Sequence, residues 1–446
     1  MTPSTINLEE VPISRFHQLL TVRSGGGSFV DGYVLSVIGT AMVQASAALG
    51  MDSFWEGLIA ASALVGIFAG GLIGGNLTDR FGRKHMFFVG PVLFILFSVV
   101  QLWVQTPTAL FVCRFLLGIA IGIEYPVATA LLVEFLPKAH RGPRLALLTI
   151  MWFAGAACAY IVGNLLAENG DPEAWRYALA STAVLGLVLL IIRIGTPESP
   201  RWLLKQGRMD EADAVIRQVY GLNFSQANLP DEPEVSKASL AGLLRAGYGT
   251  RLLFVSLSWA CSVIPVFAVY AFAPKVLLAL NLHDSWAAFG SIAITLLFVV
   301  GCVAGTMLIN AVGRRRLMIH SFLWSGLALL GLGMSADGAP ALILVLFGAY
   351  AVFIGGAQVL QLVYPNEIFP TEIRPVAMGI STSCSRIGAA VGTYLVPISL
   401  AEWGIGPTMY AAAVVTLIGL VTAWLLAPET RSLSLADAAS LTPREA

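Results

Sequence analysis

Twelve apolar stretches follow one another along the chain, each about as long as the ~20 residues a helix needs to cross a ~30 Å hydrocarbon layer. They fall at roughly 25–48, 56–77, 86–104, 108–135, 144–167, 175–194, 252–280, 286–309, 317–335, 340–364, 376–401 and 407–427. The first could begin near Phe16, because FHQLLTV is already compatible with helix. In lipid each backbone N–H and C=O must find its partner within the protein, so such stretches become helices. Only 12% of the 446 residues are charged and 57% are hydrophobic, with a mean hydropathy of +0.80. That is too little charge to cover a water-facing surface. The expected fold class is an all-α membrane protein of twelve transmembrane helices. One long polar interruption splits them six and six, giving a bundle over 1–195, a linker over 196–250 and a bundle over 251–446. RWLLKQGRMDEADAVIRQVYGL in that linker is spaced as a short amphipathic helix.

Charge placement sets the orientation. All but four of the 26 Lys and Arg residues fall in the two terminal arms, the central linker and the loops on the same side as these; the exceptions are Arg114, Arg176, Lys275 and Arg386. The positive-inside rule then predicts cytoplasmic termini. The opposite loops are short and carry acids, among them Asp52, Glu56 and Asp284. The polar, acidic start MTPSTINLEEVPIS lacks the basic opening of a cleaved signal peptide, so the first apolar stretch is expected to stay in the mature chain. A net charge of zero gives no reason to expect nucleic acid. The five cysteines are scattered through apolar stretches with no C-x-x-C pair, which argues for packing rather than metal or disulfide.

The two halves repeat. GGNLTDRFGRKHM at 74–86 matches GTMLINAVGRRRLM at 305–318, so that Gly74, Gly82 and Arg83 recur as Gly305, Gly313 and Arg314. EFLPKAHRG at 134–142 matches EIFPTEIRP at 367–375, and PES at 197–199 recurs as PET at 428–430. A parallel duplication of a six-helix unit is one route to a transporter architecture.

With GNLTDRFGRK, RFLLGIAIGIEYP, EFLPKAHRG, PESPRWLL, GRRR, YPNEIFPTEIR and the terminal PETR, the chain resembles the major facilitator superfamily, in the branch of sugar porters and organic-ion porters. The resemblance implies two pseudo-symmetric six-helix bundles, with helices 1, 4, 7 and 10 lining a cavity that opens alternately to each side. It also implies a gate on the cytoplasmic side built from Asp79, Arg83, Glu134 and Arg141, with Arg314, Glu367 and Arg374 in the second half. Asn310 stands where Asp79 does in the first copy, so the two gates should be unequal.

Four charges fall inside the spans: Asp31, Arg114, Glu124 and Arg386. Burying them is costly, which marks them as functional candidates. Asp31 and Arg114 correspond to the helix-1 acid and helix-4 arginine of proton-coupled sugar porters, making Asp31 the first candidate proton carrier. Glu124 is the alternate, unless it merely pairs with Arg386. The five histidines all lie away from mid-span, so a proton would travel on a carboxylate. At the positions of the sugar-porter helix-7 glutamine pair stand Cys261 and Ser262, and at the helix-5 glutamine Ala156, which weakens a hexose reading. Arg386 lies twelve residues beyond Arg374, about 18 Å along a helix, at a depth where a guanidinium suits a carboxylate. Trp152, Phe267, Tyr270, Gln358, Gln361 and Tyr364 are candidate walls and hydrogen-bonding groups, with helix packing as the alternative for each.

The expected function is a proton-coupled secondary transporter importing a small organic anion of aromatic- or sugar-acid type. A sugar or polyol symporter is the first alternative and a drug or organic-cation exporter the second. The sequence has no P-loop, metal-ligand cluster or placed nucleophile–base pair, so neither catalysis nor a cofactor is expected. The expected partners are a small-molecule substrate, protons and the lipid of a bacterial inner membrane, with the chain acting as a monomer.

Overall fold

A computed structural model describes residues 8–168, 170–229, 240–279, 284–336, 338–370, 373–431, 433 and 435–441. Helix dominates, and no strand occurs among the described residues. Among the described residues twelve helices are long and apolar enough to cross a membrane. In chain order they are α1 (Arg15–Leu49), α2 (Ser53–Phe81), α3 (Arg83–Val100), α4 (Pro107–Phe135), α5 (Lys138–Ala167) and α6 (Ala174–Arg193). The second six are α7 (Gly249–Ala279), α8 (Asp284–Val312), α9 (Arg314–Met334), α10 (Pro340–Ile368), α11 (Arg374–Glu402) and α12 (Ile405–Leu426).

One helix start and two arginines need comment beside the sequence reading. The first helix starts at Arg15, ahead of 25 and beside the Phe16 start that FHQLLTV allowed, and its polar opening residues pack: His17 is buried and accepts from the Ser14 amide at 3.0 Å. Arg23, expected in a cytoplasmic arm, is therefore inside α1 and buried, donating to the carbonyls of Ile192 (2.8 Å) and Ile194 (2.6 Å). Arg193, expected at the edge of the central linker, closes α6 and is fully buried.

The chain divides into two compact units. One comprises Met1–Val34, Val65–Gly155 and Leu179–Glu234. Its core is the apolar cluster of Leu20, Phe87, Ile123, Leu131, Phe135 and Leu148. The amphipathic linker helix is Met209–Tyr220. It turns Val215, Val219 and Tyr220 onto this cluster, and the Tyr220 hydroxyl donates to the Phe135 carbonyl at 2.8 Å. Here α1 and α5 meet backbone to backbone. A Cβ added at Gly32 would lie 1.9 Å from the Trp152 carbonyl oxygen, and one at Gly155 1.9 Å from that of Phe29.

The other unit comprises Leu35–Leu64, Ala156–Ala178 and Val235–Ala446. Within it α7 packs along α11 and α12, α9 along α10 and α12, and α8 along α10. Helix α7 contains Pro265 and Pro274 and loses helical geometry at Phe272 (φ −135°, ψ 15°). Proline removes an amide donor and collides with the preceding turn, so a break is expected there.

The α1–α5 contact is testable. Gly32→Ala or Gly155→Ala forces the two helices apart, an overpacking cost of about 1–3 kcal/mol, and each should lower the melting temperature of the detergent-purified protein. A methyl group at Gly71 would meet nothing within 4 Å, so Gly71→Ala should leave it unchanged. Equal losses at all three would show that the close contact is not the cause.

Candidate functional site

In the first unit the strongest polar feature is an ion pair between α4 and α6. The Arg193 guanidinium grips Glu124 with both terminal nitrogens, Nη1 to Oε2 at 2.8 Å and Nη2 to Oε1. Neither side chain is exposed by more than 1%. Arg193 also donates to the carbonyls of Phe87 and Arg23, and its guanidinium carbon lies 3.6 Å from the Phe87 ring centroid. Glu124 is therefore the partner of Arg193, not of Arg386. Arg193 stands at the last turn of the expected 175–194 span and was counted with the basic linker, which hid it as a partner; GIEYP alone held no signal for it.

Asp31 on α1 and Arg114 on α4 are both buried, at 2% and 1% exposure. Arg114 Nη1 donates to the Val34 carbonyl at 2.8 Å, one turn along α1 from Asp31 and so on the same face. Among the described residues its Nε and Nη2 have no hydrogen-bond acceptor. Trp152 is half-buried on α5, its ring edge-on to Phe153.

In the second unit Gln358 and Gln361 of α10 meet Ser262 of α7. Gln358 Nε2 donates to the Ser262 carbonyl at 2.9 Å, and Gln361 Nε2 donates to Ser262 Oγ at 2.6 Å and Gln358 Oε1 at 2.8 Å. The Ser262 hydroxyl gives its own proton to the Trp259 carbonyl at 2.8 Å. Both amide protons of Gln361 are thus committed, and among the described residues its Oε1 has no donor. Gln361 lines a small cavity together with Trp259, Met318 and Tyr364. The other hydroxyls of that lining point away: Ser258 donates to Phe254 and Tyr364 to Pro428. On α11 the Arg386 guanidinium lies 5.4 Å from the ring centroid of Phe267 on α7, which brings two of the expected residues together. The Tyr270 side chain lies outside the described residues.

The repeated loop motifs build two clusters of the same design, one in each unit. In the first, Arg83 reaches Glu134 and Asp79, each at 3.2 Å. Glu134 also accepts from the Ser199 hydroxyl, and Glu198 accepts from the Lys84 amide at 3.0 Å. In the second, Arg314 reaches Glu367 at 2.9 Å and Asn310 at 3.0 Å. Glu367 accepts from the Thr430 hydroxyl, and Glu429 accepts from the Arg314 amide at 3.0 Å. Gly82 and Gly313 have the same left-handed geometry, φ 92° and ψ 158°. A side chain there would strike Glu198 or Glu429. Arg141 and Arg374 donate to the carbonyls of Leu136 and Phe369. Glu198, Ser199, Glu429 and Thr430 were missed as members, although the PES and PET repeat was the signal that could have found them.

The pattern of the sugar (and other) transporter family matches residues 20–441. Among curated proteins, YaaU of Escherichia coli K12, whose name assigns metabolite transport provisionally, is 39% identical over 100% of this chain and 99% of its own length. The inner membrane metabolite transport protein YgcS of the same organism is 37% identical, covering 99% and 98%. Among solved structures, a partially occluded inward-open form of the xylose transporter XylE from E. coli superposes with a TM-score of 0.81. That match covers 94% of this chain and 100% of XylE at 21% identity. At that identity the likeness establishes the major facilitator fold.

The Glu124–Arg193 pair yields a stability prediction. Arg193→Ala strands a buried carboxylate, a loss of about 3–5 kcal/mol, and should cost most of the monodisperse protein on size exclusion. Replacing both residues by Met should recover much of that yield. A double variant as poor as the single one would show that the two side chains do not act as a pair.

Proposed function

The chain belongs to the sugar (and other) transporter family, a branch of the major facilitator superfamily, and on that premise we propose that it imports a small hydroxylated organic anion together with protons. It is an integral multi-pass membrane protein of the inner-membrane metabolite transporter kind. Proton coupling rests on Asp31. Glu124, the other acid, has both oxygens occupied by Arg193, whereas Arg114, bonded to the carbonyl of Val34 one turn along α1 from Asp31, keeps two guanidinium nitrogens uncommitted among the described residues. A carboxylate beside an arginine holds its charge, and separation of the two in a dry interior favours the neutral acid, which is the step that takes up a proton. Asp79, Arg83, Glu134 and Arg141, with Arg314, Glu367 and Arg374, act in this reading as gates at the end carrying the basic loops, expected to face the cytoplasm.

The observation that carries the substrate class is Arg386 seated over Phe267. A guanidinium held against an aromatic face presents a planar two-point site for a carboxylate. The amide network adds a second requirement. Gln361 offers an acceptor with its protons committed, which favours a ligand that donates, as a hydroxyl does. That same carbonyl also favours a second reading, a neutral sugar or polyol.

Asp31→Asn keeps the size of the side chain and removes its proton site. In proteoliposomes with an imposed pH gradient, concentrative uptake should vanish while exchange of substrate across the membrane persists. Concentrative uptake at the wild-type level would end the assignment of the proton to Asp31.

Arg386→Ala should weaken anion binding by roughly 30- to 150-fold, the loss of a charge-assisted two-point contact of about 2–3 kcal/mol, with Arg386→Lys recovering part of it. Titration of the purified variants by intrinsic tryptophan fluorescence reads this directly. Anion affinity unchanged in Arg386→Ala would overturn the anion reading. A neutral sugar bound equally well by both proteins would favour the second reading.

A further inference from the structure

Lys275 is one of the few basic residues outside the basic loops, and it has a partner far away in the sequence. Its ammonium group pairs with Oε2 of Glu56, in the first turn of α2. Glu56 is only 4% exposed, and its Oε1 accepts from the Ser46 hydroxyl at 2.6 Å. Both lie in the same compact unit, although 219 residues separate Glu56 from Lys275. The adjoining turn of α2 is held to α11. A Cβ at Gly57 would lie 2.3 Å from the Tyr394 carbonyl oxygen, and the Phe54 and Tyr394 rings meet edge-on at 6.1 Å. Glu56 is 23 residues from Asp79 on the same helix, about 35 Å along it, so this contact lies at the end opposite the basic-loop clusters.

We propose that Glu56 and Lys275 form a latch that closes this end of the transporter and opens to admit substrate from the side bearing Asp52. The inference rests on the transport reading. Three features distinguish a latch from permanent packing. Apolar side chains would hold a permanent contact at least as well, since burying charges strips them of water. Lys275 also keeps 40% of its side chain exposed, so its charge has water at hand when the pair separates. In addition, Lys275 lies just past the break at Phe272 and next to Pro274. The short end of α7 that carries it can therefore swing without moving the rest of that helix.

The test uses the full-length chain with its five native cysteines replaced. Glu56→Cys with Lys275→Cys should cross-link in membranes with a short bifunctional thiosulfonate, and uptake should stop and return on reduction. Ala60→Cys, one turn further into α2 and now 5% exposed, reports opening through its rate of maleimide labelling in detergent. Glu56→Gln should raise that rate at least five-fold, and the swapped pair Glu56→Lys with Lys275→Glu should restore it. A labelling rate unmoved by Glu56→Gln, or full uptake by the cross-linked protein, would overturn the latch. The labelling needs no substrate, so a failed search for the transported anion leaves this result standing by itself.

Discussion

A charge placed in an apolar interior must be matched there, and the most consequential features of this molecule are solutions to that requirement. The Glu124–Arg193 pair is the extreme case. Two fully buried ions are joined through both carboxylate oxygens, with spare donors directed at the Phe87 and Arg23 carbonyls. Such a pair gains little net stability over apolar packing but is costly to break. Through these contacts it ties α4, α6, α3 and α1 together within the first unit.

The loop clusters solve the same problem at the chain's turns. Each places an arginine between an acid near the end of α4 or α10 and a residue one turn back, then caps the acid with a hydroxyl from the PES or PET repeat. Asp79 and Asn310 occupy the same place with different charge, so Arg83 faces two formal negative charges and Arg314 one. The duplication therefore conserves the geometry of the clusters while making their electrostatics unequal.

Hydrogen-bond direction orders the amide network between α7 and α10. Once the Ser262 proton is given to Trp259, Ser262 Oγ can only accept, which orients Gln361 and in turn Gln358. The half-buried Gln361 carbonyl is left as an acceptor without a donor among the described residues. The proposed function draws on two groups, the Gln361 carbonyl for a hydroxyl that donates and Arg386 for a carboxylate.

Much of this was legible in the sequence because lipid leaves so few options. Twelve apolar stretches must be helices, the repeat must recur as structure, and Gly82 and Gly313 must turn where they do; the arginines and acids at the centre of both loop clusters could be named from their spacing. Partner choice was not legible. Glu124 could have paired with Arg386, and charge placement counted Arg23, Arg193 and Glu56 with the loops and their edges, yet the fold buries all three. The reason is physical: periodicity and hydropathy report how each residue meets its own helix and its solvent, while an ion pair across 69 or 219 residues depends on which helices pack together. Only tertiary structure decides that.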